Sequence, residues 1–120
     1  MTLSDFYLSC AGSLEQTLSR LGSERLIRKY LLRLPEDGSC RELLSAYENM
    51  DTEAVFRAAH TMKGIASNLG LPELYRASDA LAQALRAARD PAALDGISHL
   101  YSSLVCELNR VKSLIGEIDP

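Results

Sequence analysis

The stretch Arg57–Gly70, RAAHTMKGIASNLG, carries apolar residues at helical spacing and stops on a glycine. With Val55 set at zero and about 100° allowed per residue, Ala59, Met62, Ala66 and Leu69 all fall within about 40° of it, which predicts one buried stripe. On the same wheel His60 lies at about 140°, Ser67 at about 120°, Phe56 at about 100°, Lys63 at about 80° and Gly64 at about 180°. The histidine therefore points away from the predicted core. Gly64, one turn beyond it, disfavours a helix interior by roughly 1 kcal/mol relative to alanine, so its presence calls for a physical reason.

Working outward, Asp51 is a good N-cap for this helix, and Gly70 followed by Pro72 ends it after Leu69. Pro72 then opens a helix through about Arg89, and the pair Asp90–Pro91 gives an N-cap and first-turn proline for a last helix to about Gly116. Upstream, Thr2 and Asp5 resemble a capping box, with Asp where Glu or Gln is usual. Leu3, Tyr7, Leu14 and Leu18 continue as an apolar stripe, predicting a first helix to about Leu21 with Gly12 as its weak point. Ser23 caps a second helix, ERLIRKYLLRL, with Leu26, Ile27, Tyr30, Leu31 and Leu34 on one face. The segment Pro35–Ser39, PEDGS, interrupts it: Pro35 either kinks or ends the helix, Ser39 can cap the following CRELLSAYEN, and the two are treated as a bent pair of segments. No sustained period-2 alternation marks a strand. The fold class is all-α, and the short connections between later helices predict an up-and-down antiparallel four-helix bundle with an additional N-terminal helix.

A length of 120 residues suits one hydrophobic core, and residues 1–120 are expected to form a single domain. The net charge of -3, with acids and bases interspersed, lacks the basic footprint of a nucleic-acid binder. Cys10, Cys40 and Cys106 are odd in number and have no CxxC spacing, which indicates thiols in a reducing compartment and no zinc site. The N-terminal MTLSD has no targeting pattern, and no apolar run approaches the roughly 18 residues of a membrane span. The expectation is a cytoplasmic monomer without a membrane anchor; the ends of the chain suggest a freestanding module, with a segment of a larger sensor kinase as the alternative.

The neighbours of His60 suit a particular chemistry. Gly64 removes a side chain beside the imidazole, so a partner surface or a reacting phosphorus can approach. Lys63 supplies a flexible positive charge within reach of an anion at the ring, and Phe56, one turn earlier, provides an apolar rim. Taken singly, each fits a plain structural role: a glycine for close helix packing, a solvated lysine, a half-buried aromatic. Together on one side of one helix, they suit a nucleophile that accepts a phosphoryl group from another macromolecule. His99 has no lysine or glycine one turn on and is expected to be an ordinary histidine.

At these residues the chain resembles a known family. AHTMKGIASNLGLPEL, Ala59–Leu74, closely resembles the signature of histidine-containing phosphotransfer domains, with His60, Lys63, Gly64, Leu69 and Gly70 at the family's positions and a looser likeness from about Gly22 to Arg86. The resemblance implies a helical bundle with an exposed histidine midway along one helix, carrying phosphate between receiver-domain aspartates or from a sensor kinase, including hybrid kinases, to a receiver. It implies His60 as phosphoacceptor, Lys63 as the balance for phosphate charge and Gly64 as access for the receiver. Phe56 and Ser67 fall on the docking side. Such a protein is a phosphocarrier and no turnover enzyme, with no metal or cofactor of its own, the Mg²⁺ belonging to the receiver. One position departs from the pattern. Many members place a polar residue 22 positions after the histidine to hold the ring, and here that position is Ala82, with Gln83 one step on. Asp79 and Arg86, on nearly the same stripe, are the candidate substitutes, and Arg86 also suits a phosphate or an acidic partner. This departure sustains an alternative: a helical adaptor that binds a receiver or kinase without carrying phosphate. A hydrolase using His60 as general base lacks a nearby nucleophile, Ser67 being two turns away.

Overall fold

A computed structural model describes residues 1–87 and 90–120, which are helical with no strand among them. α1, Leu3–Ser9, opens on the capping box: the Asp5 amide donates to Thr2 Oγ1 at 3.0 Å and the Thr2 amide donates to the Asp5 carboxylate at 3.2 Å. The single helix expected to Leu21 is broken in two. Ala11 turns left-handed at φ 56°, its amide donates to the Leu8 carbonyl and the Gly12 amide reaches back to Tyr7, which is a Schellman termination. Ser13 then recaps α2, Leu14–Leu21. Gly12 breaks the helix for a tertiary reason: its backbone lies against the Gly70 carbonyl, where a Cβ has no room.

Ser23 caps α3, Glu24–Arg33, as expected. A 3-10 turn at Leu34–Glu36, built around Pro35, bends the chain into α4, Gly38–Glu48. The cap of α4 is Asp37 rather than Ser39. Asp37 has the extended backbone of an N-cap and its carboxylate accepts from the Ser39 amide at 2.8 Å, while Ser39 is itself in the first turn and buried. α5, Thr52–Leu69, has the predicted boundaries, opened by Asp51 and closed by Gly70 at φ 70°. α6 is described over Pro72–Ala87; the expected continuation to Arg89 lies outside the described residues. The last helix does not begin at Pro91. Asp90 accepts instead from the Ala92 and Ala93 amides, closing a turn into the short α7, Ala93–Gly96, and a break at Ile97 precedes α8, Ser98–Gly116.

α4, α5, α6 and α8 form the four-helix bundle, with α5 packed between α4 and α6, and α6 against α8. Tyr47 of α4 stacks on Tyr101 of α8, bringing the outer pair together. The predicted stripe of α5 is buried: Val55, Ala59, Met62 and Ala66 are fully enclosed, Leu69 nearly so, and Ala58 joins them. Each large apolar side chain enclosed this way contributes about 1.5–3 kcal/mol. α1 and α2 sit over the C-terminal end of α5. The buried Tyr7 hydroxyl donates to the Leu69 carbonyl at 2.6 Å, and the Arg20 guanidinium donates to the Asn68 carbonyl at 3.3 Å.

Three variants test these terminations. Gly70→Ala forces an L side chain into the left-handed region and against Thr17, and is expected to lower unfolding free energy by about 2 kcal/mol or more. Met50, half exposed and left-handed at φ 53° after α4, should respond in the opposite sense. Met50→Gly relieves a left-handed strain of about 1–2 kcal/mol against about 0.5–1 kcal/mol of added chain entropy, so the urea midpoint rises slightly. Burial pushes the Tyr7 phenol up to about 12. Because the folded value is raised above the ordinary 10, its contribution is intact below that pH and is lost as pH climbs toward about 12. Tyr7→Phe should cost about 1 kcal/mol at neutral pH and remove this part of the alkaline loss, as read by urea melts over that range.

Candidate functional site

The outer face of α5 and the adjoining edge of α6 run antiparallel, and their side chains meet in a ladder. Phe56, His60, Lys63 and Ser67 recur at helical spacing on α5; Tyr75, Asp79, Gln83 and Arg86 recur likewise on α6. Arg86 reaches Phe56 at one end, its guanidinium carbon 5.9 Å from the ring centroid. Near the other end, Lys63 Nζ lies 3.0 Å from Asp79 Oδ1 and 5.8 Å from the Tyr75 ring centroid.

His60 is exposed, as the wheel predicts. Its imidazole lies parallel to the Phe56 ring one turn earlier, 5.9 Å between centroids and 6° between planes. This contact is an i, i+4 pair on one helix, so the geometry of α5 itself produces it. Gly64 is also exposed, and a Cβ built there meets nothing within 4 Å beyond the backbone of its own helix turn. Close helix packing among the described residues therefore gives no reason for this glycine. What it leaves is open space one turn from the imidazole.

The ring partners suggested for His60 are engaged elsewhere. Asp79 accepts from Lys63 and from the Gln83 amide, which is 3.3 Å from both carboxylate oxygens. The hydrogen bond from Lys63 is the main cause holding the Asp79 carboxyl below the usual carboxylate range, reinforced by Gln83 and by the charges of Lys63 and Arg86. Arg86 covers Phe56. Ala82 is 1% exposed and packs in the core. Among the described residues, the imidazole has the Phe56 ring as its contact and no hydrogen-bond partner.

Ser67 is exposed two turns beyond His60 and, with Tyr75, borders a groove that continues to Gly12, Thr17 and Arg20. Tyr75 was not singled out in the sequence, although its spacing to Asp79, Gln83 and Arg86 marks the same edge. His99 sits exposed in the first turn of α8, apart from this ladder. No group of three or more His, Cys, Asp or Glu able to hold a metal is found among the described residues, and none of their helices is long and apolar enough to cross a membrane.

The family model for the Hpt domain matches residues 13–118, from the cap of α2 to just past the end of α8. No curated protein and no solved structure gives a significant match to the chain. Hpt domains are phosphocarrier modules of two-component phosphorelays, and they interact with receiver domains and kinases. With the match running from Ser13 to Ile118 on a helical bundle that presents an exposed histidine on α5, the chain belongs to the Hpt domain family.

Proposed function

We propose that this protein carries a phosphoryl group on His60, exchanging it with the aspartate of a response-regulator receiver domain or with a hybrid sensor kinase. The observation that carries this reading is the exposed imidazole beside a glycine whose missing side chain opens the approach. The lone pair of a neutral imidazole nitrogen attacks the phosphorus of an aspartyl phosphate. As the new P–N bond forms, the P–O bond to the acyl oxygen breaks, and the carboxylate leaves with the electron pair. The ring is left as a phosphoimidazolium that sheds its other N–H proton to water. Reversal returns the phosphoryl group to a carboxylate. Phosphoryl transfer of this kind depends mainly on alignment and charge neutralisation, which here fall to the Phe56 stack and to Lys63. Phe56, Gly64, Ser67 and Arg86 border the docking face, and the Mg²⁺ belongs to the receiver's acidic pocket. The protein works as a cytoplasmic monomer and covalent carrier without turnover of its own.

Incubation with a phosphorylated receiver tests this. Label is expected on the wild-type chain as an acid-labile, alkali-stable adduct, and none on His60→Gln; label persisting in that variant overturns the assignment. Gly64→Gln places a long side chain in the open space and should slow transfer by about 10-fold, equivalent to about 1.4 kcal/mol, with the helical circular-dichroism signal unchanged. Lys63→Ala should slow transfer or shorten the adduct's lifetime. One observation favours the adaptor reading: the imidazole has no polar partner among the described residues. Receiver binding without transfer would select it.

The Phe56 stack has its own test. An aromatic pair of this kind is worth about 0.5–1.5 kcal/mol, so Phe56→Ala should slow transfer by about 2- to 10-fold. The His60 ring-proton resonances should move as the ring current is lost. If neither changes, the stack does not orient the imidazole in solution.

A further inference from the structure

Lys63 stands one turn from His60 on α5, yet its ammonium is drawn sideways to α6. Three groups on α6, each one turn from the next, form the cradle that holds it. Asp79 supplies the carboxylate, 3.0 Å from Nζ; Gln83 steadies both carboxylate oxygens from one side; Tyr75 offers a ring face from the other. The Lys63 and Asp79 side chains are 26% and 27% exposed, so the pair is open to exchange with another anion. Lysine is a point charge on a flexible four-carbon stem with three donors, and its head group can pass from one anion to a neighbouring one without moving the helix.

We propose that Asp79 is a positioning residue that holds Lys63 in reserve and surrenders it to the phosphoryl group on His60, thereby setting how long that group is retained. The inference rests on the reading of His60 as phosphoacceptor. In the unphosphorylated protein the ammonium is paired and the open side of His60 is left clear for the incoming phosphorus. Once the P–N bond has formed, a phosphoryl group carrying roughly -1.5 to -2 charge outcompetes a single carboxylate for the ammonium. Asp79 is then left without its main cation, beside a dianion. That loss opposes retention, so the carboxylate biases the carrier toward giving the phosphoryl group away.

An exposed pair of this type shifts an equilibrium by only roughly 1.5- to 5-fold. The test uses phosphoramidate as donor, so that no cognate partner is needed. Its P–N bond breaks, ammonia departs with the electron pair and a proton, and the phosphoryl group passes to His60. At fixed phosphoramidate and ammonia, Asp79→Asn should raise the ratio of phosphorylated to free protein by about 2- to 5-fold, read by intact mass. Gln83→Met, which removes only the anchor of the carboxylate, should move the ratio in the same direction by less. Introduced into Lys63→Met, the Asp79→Asn change should have a smaller effect, because the reserve mechanism needs the lysine. An equal gain in both backgrounds would mean simple repulsion and overturn the proposal, as would no gain in either. A carboxyl-carbon NMR titration of the unphosphorylated protein supplies an independent readout. Lys63, Gln83 and Arg86 are the polar and charged groups that lower the Asp79 carboxyl, and Lys63→Met should raise its midpoint. An unchanged midpoint shows that the pair does not form in solution and also overturns the proposal. Failure of the wild-type chain to take phosphate on His60 overturns the carrier reading and this inference together, whereas phosphorylation indifferent to Asp79 overturns this inference alone.

Discussion

Everything at the His60 face depends on how α5 ends. A helix terminus leaves its last carbonyls without intrahelical partners, and here each is met by a different part of the chain. The Leu71 and Gly70 amides fold back onto Ala66 and Ser67, Arg20 takes the Asn68 carbonyl, and the buried Tyr7 hydroxyl takes Leu69. Gly70 adopts the left-handed conformation that this requires, and the backbone of Gly12 closes against its carbonyl. The same junction reverses the chain into α6 within two residues, Gly70 and Leu71. Because that reversal has no slack, the register of α6 against α5 is fixed from this end.

That register explains why the ladder meets as it does. Counting back from the turn on α5 and forward on α6 brings Lys63 opposite Asp79 and Phe56 opposite Arg86. The stripe that buries Val55, Ala59, Met62 and Ala66 turns His60 outward as its complement, since one helix has only these two sides to present. Gly64 weakens the helix on the outward side, where the apolar stripe does not depend on it.

The helices that pack by their own periodicity could be read from the sequence, and those cut by tertiary contact could not. α5 was legible at both ends because Asp51 and Gly70 act on amides and carbonyls within a few residues of themselves. The bend between α3 and α4 was legible from Pro35, but the choice of Asp37 over Ser39 as cap depends on a backbone conformation that both residues tolerate. The break between α1 and α2 was not legible. Leu3, Tyr7, Leu14 and Leu18 keep a helical rhythm across it, and what cuts the helix is Gly12 meeting Gly70, 58 residues away in sequence. Asp90 carried a turn signal that closes the chain ahead of the short α7, whose own N-cap, Ala92, makes no side-chain bond, while Ile97 interrupts the expected run into α8. At the site, the outward direction of His60 followed from the wheel. The Lys63–Asp79 pair did not, because it requires the register between two helices.

Ala82 shows how packing shapes the chemistry nearby. It faces the core at the level where a polar ring partner was expected, and enclosing it leaves the polar side chains of α6 on the outer edge, at Asp79, Gln83 and Arg86. On that edge they organise cations: Asp79 and Gln83 hold Lys63, and Arg86 rests on the aromatic ring that stacks against His60. The imidazole is thus steadied by a flat apolar surface, which fixes the plane of a ring without preferring either nitrogen as proton carrier. A hydrogen-bond acceptor would select one tautomer; a stack leaves both. For the phosphoacceptor proposed above, the choice of ring nitrogen then falls to the direction of approach, and the space left open at Gly64 lies one turn along that side of the helix.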